Sequence, residues 1–221
     1  MARHMIGFIA PVLNRFDLFT QMMSSVDMEV RPYIIDNFRE NRGVSSAWNE
    51  GMKKASNEGC RYAFITNDDV YFSPGALKSM YDTIVETQGV LVSANPNGAF
   101  GTELEVFEGA DFFCFIVDIP QLISYCGTFD ENFFPAYFED NDMHYRIRLS
   151  GRKAYIQPKA VVMHHGSATQ YADPNNPVTP PHQFENNRRY FVEKWGGTPG
   201  AEQFTNPFRD VNQKLWDWEK R

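Results

Sequence analysis

Short apolar runs and amphipathic stretches take turns along the first 95 residues. Ile6–Val12 reads as a buried strand, closed by Pro11 and the turn-like Asn14-Arg15. Asp17 can cap a helix running to about Ser25, with Leu18, Met22 and Val26 on one face. Residues 33–36 make a second strand that ends in Asp36-Asn37. Past the Asn41-Arg42-Gly43 turn, Ser45 can cap a helix through Ala47, Trp48, Gly51, Met52 and Ala55. Tyr62–Thr66 is a third strand, Ser73-Pro74 opens a helix with proline at its favoured first position, and residues 90–94 form a fourth strand. This alternation predicts a mostly parallel, three-layer α/β sheet. Ligands of such sheets bind beyond the carboxyl ends of the strands. Asn14, Asp36 and Asn67-Asp68-Asp69 all fall there, which converges three polar clusters on one cleft.

After residue 95 the rhythm changes. Residues 95–101 are a Gly/Asn/Pro loop, 105–108 and 112–117 read as strands, and 120–125 as a short helix. Glu139–Leu149 is helical, and two strands, 154–156 and 160–163, flank a Gln157-Pro158 turn. Residues 172–181 are rich in Pro and Asn and poor in apolar side chains, which predicts a loop or lid that closes over a ligand. Residues 184–195 are helical, and 211–220 close the chain as another helix, on which Trp216 and Trp218 cannot face the same way. The expected organisation is one domain over 1–195, with a nucleotide-binding half to about 95 and an acceptor half from 96, then a C-terminal extension over 196–221.

Composition narrows the class. With 221 residues, 43% hydrophobic, the chain can bury a full core. A net charge of −7 argues against broad nucleic-acid binding, which needs many phosphate-neutralising cations. Cys60, Cys114 and Cys126 lack metal-binding spacing and read as buried free thiols of a reducing compartment. The first residues have no signal-peptide core, and no apolar run nears the roughly 20 residues of a bilayer span. A soluble, cytoplasmic protein is expected, in a host cytoplasm if virus-encoded.

The chemistry lies in three acidic or histidine-bearing clusters. Asn67-Asp68-Asp69 follows an apolar strand. A polar turn would account for it, but its oxygen ligands also suit Mg²⁺ or Mn²⁺ bridging the phosphates of a nucleotide. Glu139-Asp140 and Asp142 open a helix, where the macrodipole favours acids for structural reasons. The aromatic run before them, residues 133–138, could raise a carboxylate's pKa towards that of a useful base. His164-His165-Gly166 ends a strand and offers a ligand.

In order along the chain, these residues resemble the family 2 glycosyltransferases of GT-A fold, nearest in motif to a rhamnosyltransferase-like branch. Val12-Leu13-Asn14-Arg15, Ile34-Ile35-Asp36-Asn37 and Glu40-Asn41-Arg42-Gly43 with Ala47-Trp48-Asn49-Glu50-Gly51 match the family's early motifs. Asn67-Asp68-Asp69 holds the DxD position, with Asn67 in place of the first acid. Gly127-Thr128-Phe129-Asp130-Glu131, Glu139-Asp140-Asn141-Asp142 and the block from Pro158 to His164-His165-Gly166 complete the set.

The resemblance implies a metal-dependent inverting enzyme that moves a sugar from a nucleotide-diphosphate sugar to an acceptor hydroxyl. Asp36 would contact the base or ribose, in a pocket lined by Pro11, Asn14 and Arg15, with Asn67 and Asp68 nearby. Asp69 would hold Mn²⁺ or Mg²⁺, with His164 or His165 as a further ligand. Asp140 would be the general base, with Glu139 next to it. The acceptor, whether glycan, protein or modified nucleic acid, and the oligomeric state stay open. A nucleotidyltransferase acting on a sugar phosphate is the enzyme rival, but residues 10–16 lack its glycine-rich phosphate loop. A non-catalytic carbohydrate or nucleotide-sugar binding module is the other. Arg188, Arg189 and Lys194 read as a solvated helix face, or as partners of the diphosphate or of an acidic acceptor.

Overall fold

The computed structural model describes residues 5–106, 112–166, 168–173, 175 and 177–215. The chain begins with β1 (Ile6–Val12), α1 (Phe16–Ser24), β2 (Arg31–Asp36), α2 (Val44–Asn57) and β3 (Tyr62–Thr66). It continues through β4 (Val70–Phe72), α3 (Ala76–Thr87), β5 (Leu91–Pro96), β6 (Glu105–Val106) and β7 (Cys114–Asp118). Then come α4 (Ile119–Cys126), α5 (Glu139–Leu149), β8 (Ala154–His164) and α6 (Pro181–Trp195), with a 3₁₀ turn at Pro207–Arg209.

The strands form one sheet in the order β2-β1-β3-β7-β5-β8-β4, with β6 added against β8. β1, β2 and β3 run parallel, as do β5 and β8, while β7 lies antiparallel between β3 and β5. The two flanks of β7 therefore share one direction, and their carboxyl ends open on the same edge.

Helices cover both faces. Met22 of α1 and Leu77, Met80 and Ile84 of α3 pack under Phe8, Phe64 and Ile116. On the other face Trp48 and Met52 of α2, Leu122 of α4 and Met143 and Ile147 of α5 pack on Ile9, Ile65 and Phe115. The three-layer α/β/α expectation holds. Gly51 lets α2 lie tight on the sheet, because a Cβ there would sit 2.3 Å from Ile9 Cγ2. α6 packs on the α5 side, with Phe191 and Trp195 against Phe133, Phe138 and, from α5 itself, Tyr145.

Several expectations are corrected. β8 is one strand of eleven residues, not two around a turn. Its Gln157-Pro158 stretch is a bulge, where the pairing with β5 jumps from Ser93↔Ile156 to Asn95↔Val161. The Asn95 amide donates to the Pro158 carbonyl at 2.9 Å, which satisfies the bulged backbone. α3 starts at Ala76 behind Gly75, whose amide donates to Asp27, so Pro74 lies outside the helix. β4 has no counterpart among the expected strands. Residues 211–215 are not helical, and the rest of the expected last helix, with Trp216 and Trp218, lies outside the described residues. The expected strand over 105–108 is seen as Glu105–Val106, its remainder also outside them. Among the described residues no helix is long and apolar enough to cross a membrane.

Candidate active site

Asn67-Asp68-Asp69 is the turn between β3 and β4, and the antiparallel pairing of β4 with β8 sets Val70 opposite His164. The amide of His165 donates to the Asp69 carbonyl at 3.0 Å, continuing that ladder past the strand end. His164 Nε2 thereby comes to 3.3 Å from Asp69 Oδ1. The two are close enough to pair yet misaligned for a hydrogen bond, and both buried atoms lack a hydrogen-bond partner. The His164 ring lies flat on Phe113, 4.6 Å between centroids, so its orientation is fixed by packing. Burial works against an ionised Asp69, but His164 and the Ala168 amide outweigh it and hold the carboxyl below its usual range.

Asp68 differs. Burial pushes its carboxyl up to about 6, against the Thr169 hydroxyl, which donates to Oδ1 at 2.7 Å. Oδ2 of Asp68 has no partner. Asn14 reaches the Thr169 carbonyl at 3.3 Å, tying the loop after β8 to the end of β1.

The opposite wall is the start of α5. Tyr137 and Phe138 both adopt positive φ, 79° and 75°, a conformation that costs L-residues energy and marks imposed geometry. Glu139 follows, 7% exposed, with Oε2 unpartnered. Burial, and then the charge of Asp140, raise its carboxyl well above the ordinary range. Asp140 is half-buried at the helix N-terminus, where Oδ1 accepts the Asn141 amide at 2.7 Å. Asp142 is wholly buried and bonded to Arg146, Lys194 and Trp195.

Gly43 explains the third wall. Its φ of +82° suits glycine, and a Cβ would meet the Phe134 ring at 3.0 Å and the Pro135 carbonyl at 3.2 Å. Val44 N donates to that same carbonyl at 2.9 Å, so the N-terminus of α2 is stitched to the loop before α5. Asn37, buried, accepts the Arg42 amide and holds the intervening loop.

These walls enclose a cleft of about 260 Å³ at the carboxyl edge of the sheet. Of the residues singled out in the sequence, Pro11, Asn67, Asp68, Asp69, Glu139, Asp140 and His164 line it. Asn14, Arg15 and Asp36 do not. Arg15 pairs with Asp17 at 2.7 Å, and the exposed Asp36 carboxylate accepts the amides of Phe38 and Arg39. Asn37 takes the place in the cleft wall expected of Asp36. Lys194 is buried and reaches neither solvent nor the cleft, which corrects both readings of it. Arg188 and Arg189 meet Glu185 and Asn186 on the surface of α6. The expected lid is anchored at its far end. Val178 N donates to the Gln170 carbonyl, the Gln170 side chain donates to buried Thr179, and Val178 faces the cleft.

The family model for glycosyl transferase family 2 matches residues 25–143, more than half of the chain. The chain belongs to that family. No curated protein sequence matches it. Among solved structures, GalNAc-T7 with UDP, GalNAc and Mn²⁺ is similar over 88% of this family 2 chain and 48% of its own, with TM-score 0.61 and 10% identity. TarS of S. aureus is similar over 83% and 43%, with TM-score 0.56 and 14% identity. A TarS 1-349 complex with UDP-GlcNAc is similar over 72% and 58%, with TM-score 0.54 and 12% identity. The chain thus spans about half the length of these structures, and at such identities the likeness shows the GT-A fold alone.

Sequence reasoning missed Asn41, Trp48, Phe112, Phe113, Thr169 and Gln170 as cleft residues. Trp48 and the two phenylalanines read as core, and they are core on one side. Thr169 carried a signal, since a hydroxyl just past the paired histidines falls within reach of the same strand end.

Proposed function

We propose that the chain is a metal-dependent inverting glycosyltransferase that takes its sugar from a nucleotide-diphosphate donor. One observation supports it most: Asp69 Oδ1 and His164 Nε2, 3.3 Å apart and both without hydrogen-bond partners, lie in the same cleft as Asp140. A carboxylate beside an imidazole fits Mn²⁺ better than Mg²⁺, and such ions take few protein ligands and complete their shell with phosphates and water. Among the described residues no group of three or more His, Cys, Asp or Glu is placed to hold a metal ion. When bound, the cation neutralises the diphosphate leaving group.

The chain's own residues do the rest. Asp69 and His164 would hold the cation, and Phe113 keeps the imidazole from rotating away. Asp140, with Oδ1 held by the Asn141 amide, removes the proton of the acceptor hydroxyl as that oxygen attacks the anomeric carbon. Attack from the side opposite the diphosphate inverts the centre in one displacement. The anchored Gln170–Thr179 corner keeps water from the donor. The nucleotide-binding half would run to about residue 95 and the acceptor half to 195.

Product analysis by NMR, after incubation with a donor panel and Mn²⁺, tests the reading. Inverted configuration is expected, and a retained anomeric centre would sink the single-displacement mechanism.

A further inference from the structure

Trp48 lines the cleft from α2, is 2% exposed, and its indole Nε1 has no hydrogen-bond partner. A buried indole N–H normally finds an acceptor, because leaving it unpaired costs the full desolvation of the donor. Glu139 presents the converse: a buried carboxyl oxygen without a partner in the same cleft. An orphaned donor and an orphaned acceptor are what a hydroxyl-bearing ligand satisfies, since each hydroxyl both gives and takes a hydrogen bond.

The position says which hydroxyls. Phe113 stacks on His164 at the diphosphate end. Its neighbour Phe112 packs on Phe115 and Phe129, the two rings against which the Trp48 indole stands edge-on at 5.4 and 4.9 Å. The cleft wall is therefore continuous from His164 through Phe113 and Phe112 to Trp48. Glu139 directly precedes Asp140. A hexose with its anomeric carbon between Asp69–His164 and Asp140 would have this wall within the same cleft. Val44 and Pro135 add apolar surface there, which suits the carbon face of a sugar.

We propose that Trp48 is a specificity-determining residue for the transferred sugar: its indole N–H donates to a ring hydroxyl of the donor hexose, and Glu139 accepts from one. This rests on the nucleotide-sugar reading above and deepens it. The raised carboxyl of Glu139 agrees with a group kept dry for such a contact. Trp48→Phe removes the donor together with part of the bicycle, so the bare nucleoside diphosphate serves as the control for lost packing.

The test is calorimetry with Mn²⁺ and a panel of uridine, thymidine and guanosine diphosphate sugars, against the matching nucleoside diphosphates. For the sugar that binds, Trp48→Phe should lose about tenfold in affinity, the worth of one hydrogen bond, while the bare nucleoside diphosphate binds as before. Monodeoxy analogues of that sugar give a second readout on the unmutated protein. One of them should bind about tenfold more weakly to the native chain, with no further loss in Trp48→Phe. Equal weakening of nucleotide and nucleotide sugar, a change confined to the acceptor KM, or no deoxy analogue that shares the Trp48→Phe loss would each overturn the proposal while leaving donor binding intact. If no panel member binds the native chain, the nucleotide-sugar reading falls together with this one.

Discussion

Lys194, wholly buried, sets its ammonium 2.6 Å from Asp142, the carboxylate two residues past Asp140. The same Nζ lies 2.7 Å from Asp130, which also accepts the Tyr190 hydroxyl and the Asn132 amide. Arg146 balances the set, with Nη2 2.7 Å from Asp142 and Nη1 bonded to the Thr128 and Cys126 carbonyls. Two acids and two bases cancel, so the cluster is neutral and internally paired. It clasps α6 to the start of α5 and so sets the wall on which Glu139 and Asp140 stand.

Lys194→Met leaves Asp130 and Asp142 short of a buried partner. Breaking such a pair costs about 3–5 kcal/mol, and in a chain of this size the melting temperature should fall by roughly 10 °C. Acid sensitivity should change too. Burial resists ionisation of Asp142, but Arg146 and Lys194 outweigh it and lower its pKa, so its contribution persists above the ordinary carboxylate range and is lost as pH falls through the lowered value. Without Lys194 that loss should begin at higher pH. Thermal melts between pH 3 and pH 8 check both, and an unchanged acid limb would mean that Arg146 alone sets Asp142.

Glu139→Gln should stabilise the fold at alkaline pH. The folded carboxyl is raised, so between the unfolded and folded pKa values the unfolded chain gives up its proton first, and stability falls as pH rises. Glutamine removes that slope. Urea midpoints against pH should separate the two proteins above the ordinary glutamate range and bring them together below it.

Asp140→Asn should lower turnover by about 10²–10⁴ with donor affinity nearly unchanged. A variant that keeps half its rate would move the base to Glu139.

Asp69→Ala should weaken nucleoside diphosphate binding in Mn²⁺ by tenfold or more, an expectation of order from losing one hard ligand. EDTA should bring the native protein to the same level. His165→Ala should bind normally, because that side chain is exposed and only its amide meets Asp69. Calorimetry across the three proteins reads this directly, and a larger loss at His165 would reverse the assignment.

Gly43→Ala should destabilise by about 1–3 kcal/mol, since the positive φ is costly for alanine and the Pro135 carbonyl cannot yield like a side chain. Donor affinity should drop with it, because the same stitch holds two cleft walls.

Legibility in the sequence followed locality. Tyr62–Thr66 and Glu139–Leu149 were bounded by turn residues and helix-favouring acids, and both have the expected ends. β8 read as two strands because Pro158 interrupts it, and only Asn95, 63 residues away, supplies the donor that lets the strand continue. β4 has three residues, too short for an alternation to show. Residue type and strand ends point to the Asn67-Asp68-Asp69 and His164-His165 clusters, the family resemblance singles out Asp69 with either histidine, and the fold brings Asp69 and His164 together. Lys194 was misread because its partner Asp130 lies 64 residues back, and a helix pattern cannot say which cation turns inward. Asp36 and Asn37 are neighbours at a strand end, so one residue of uncertainty decides which enters the cleft.

The pairing of Val70 with His164 joins positions 94 residues apart through a strand of three residues. Asn14 and Thr169, 155 apart, close the same corner. Loop-closure cost grows only slowly with such separations, but each contact needs both distant segments of the chain. Because synthesis runs from the amino end, neither contact can form before its later partner, His164 or Thr169, has been made. A chain cut short of His164 lacks the corner that sets Asp69 beside an imidazole.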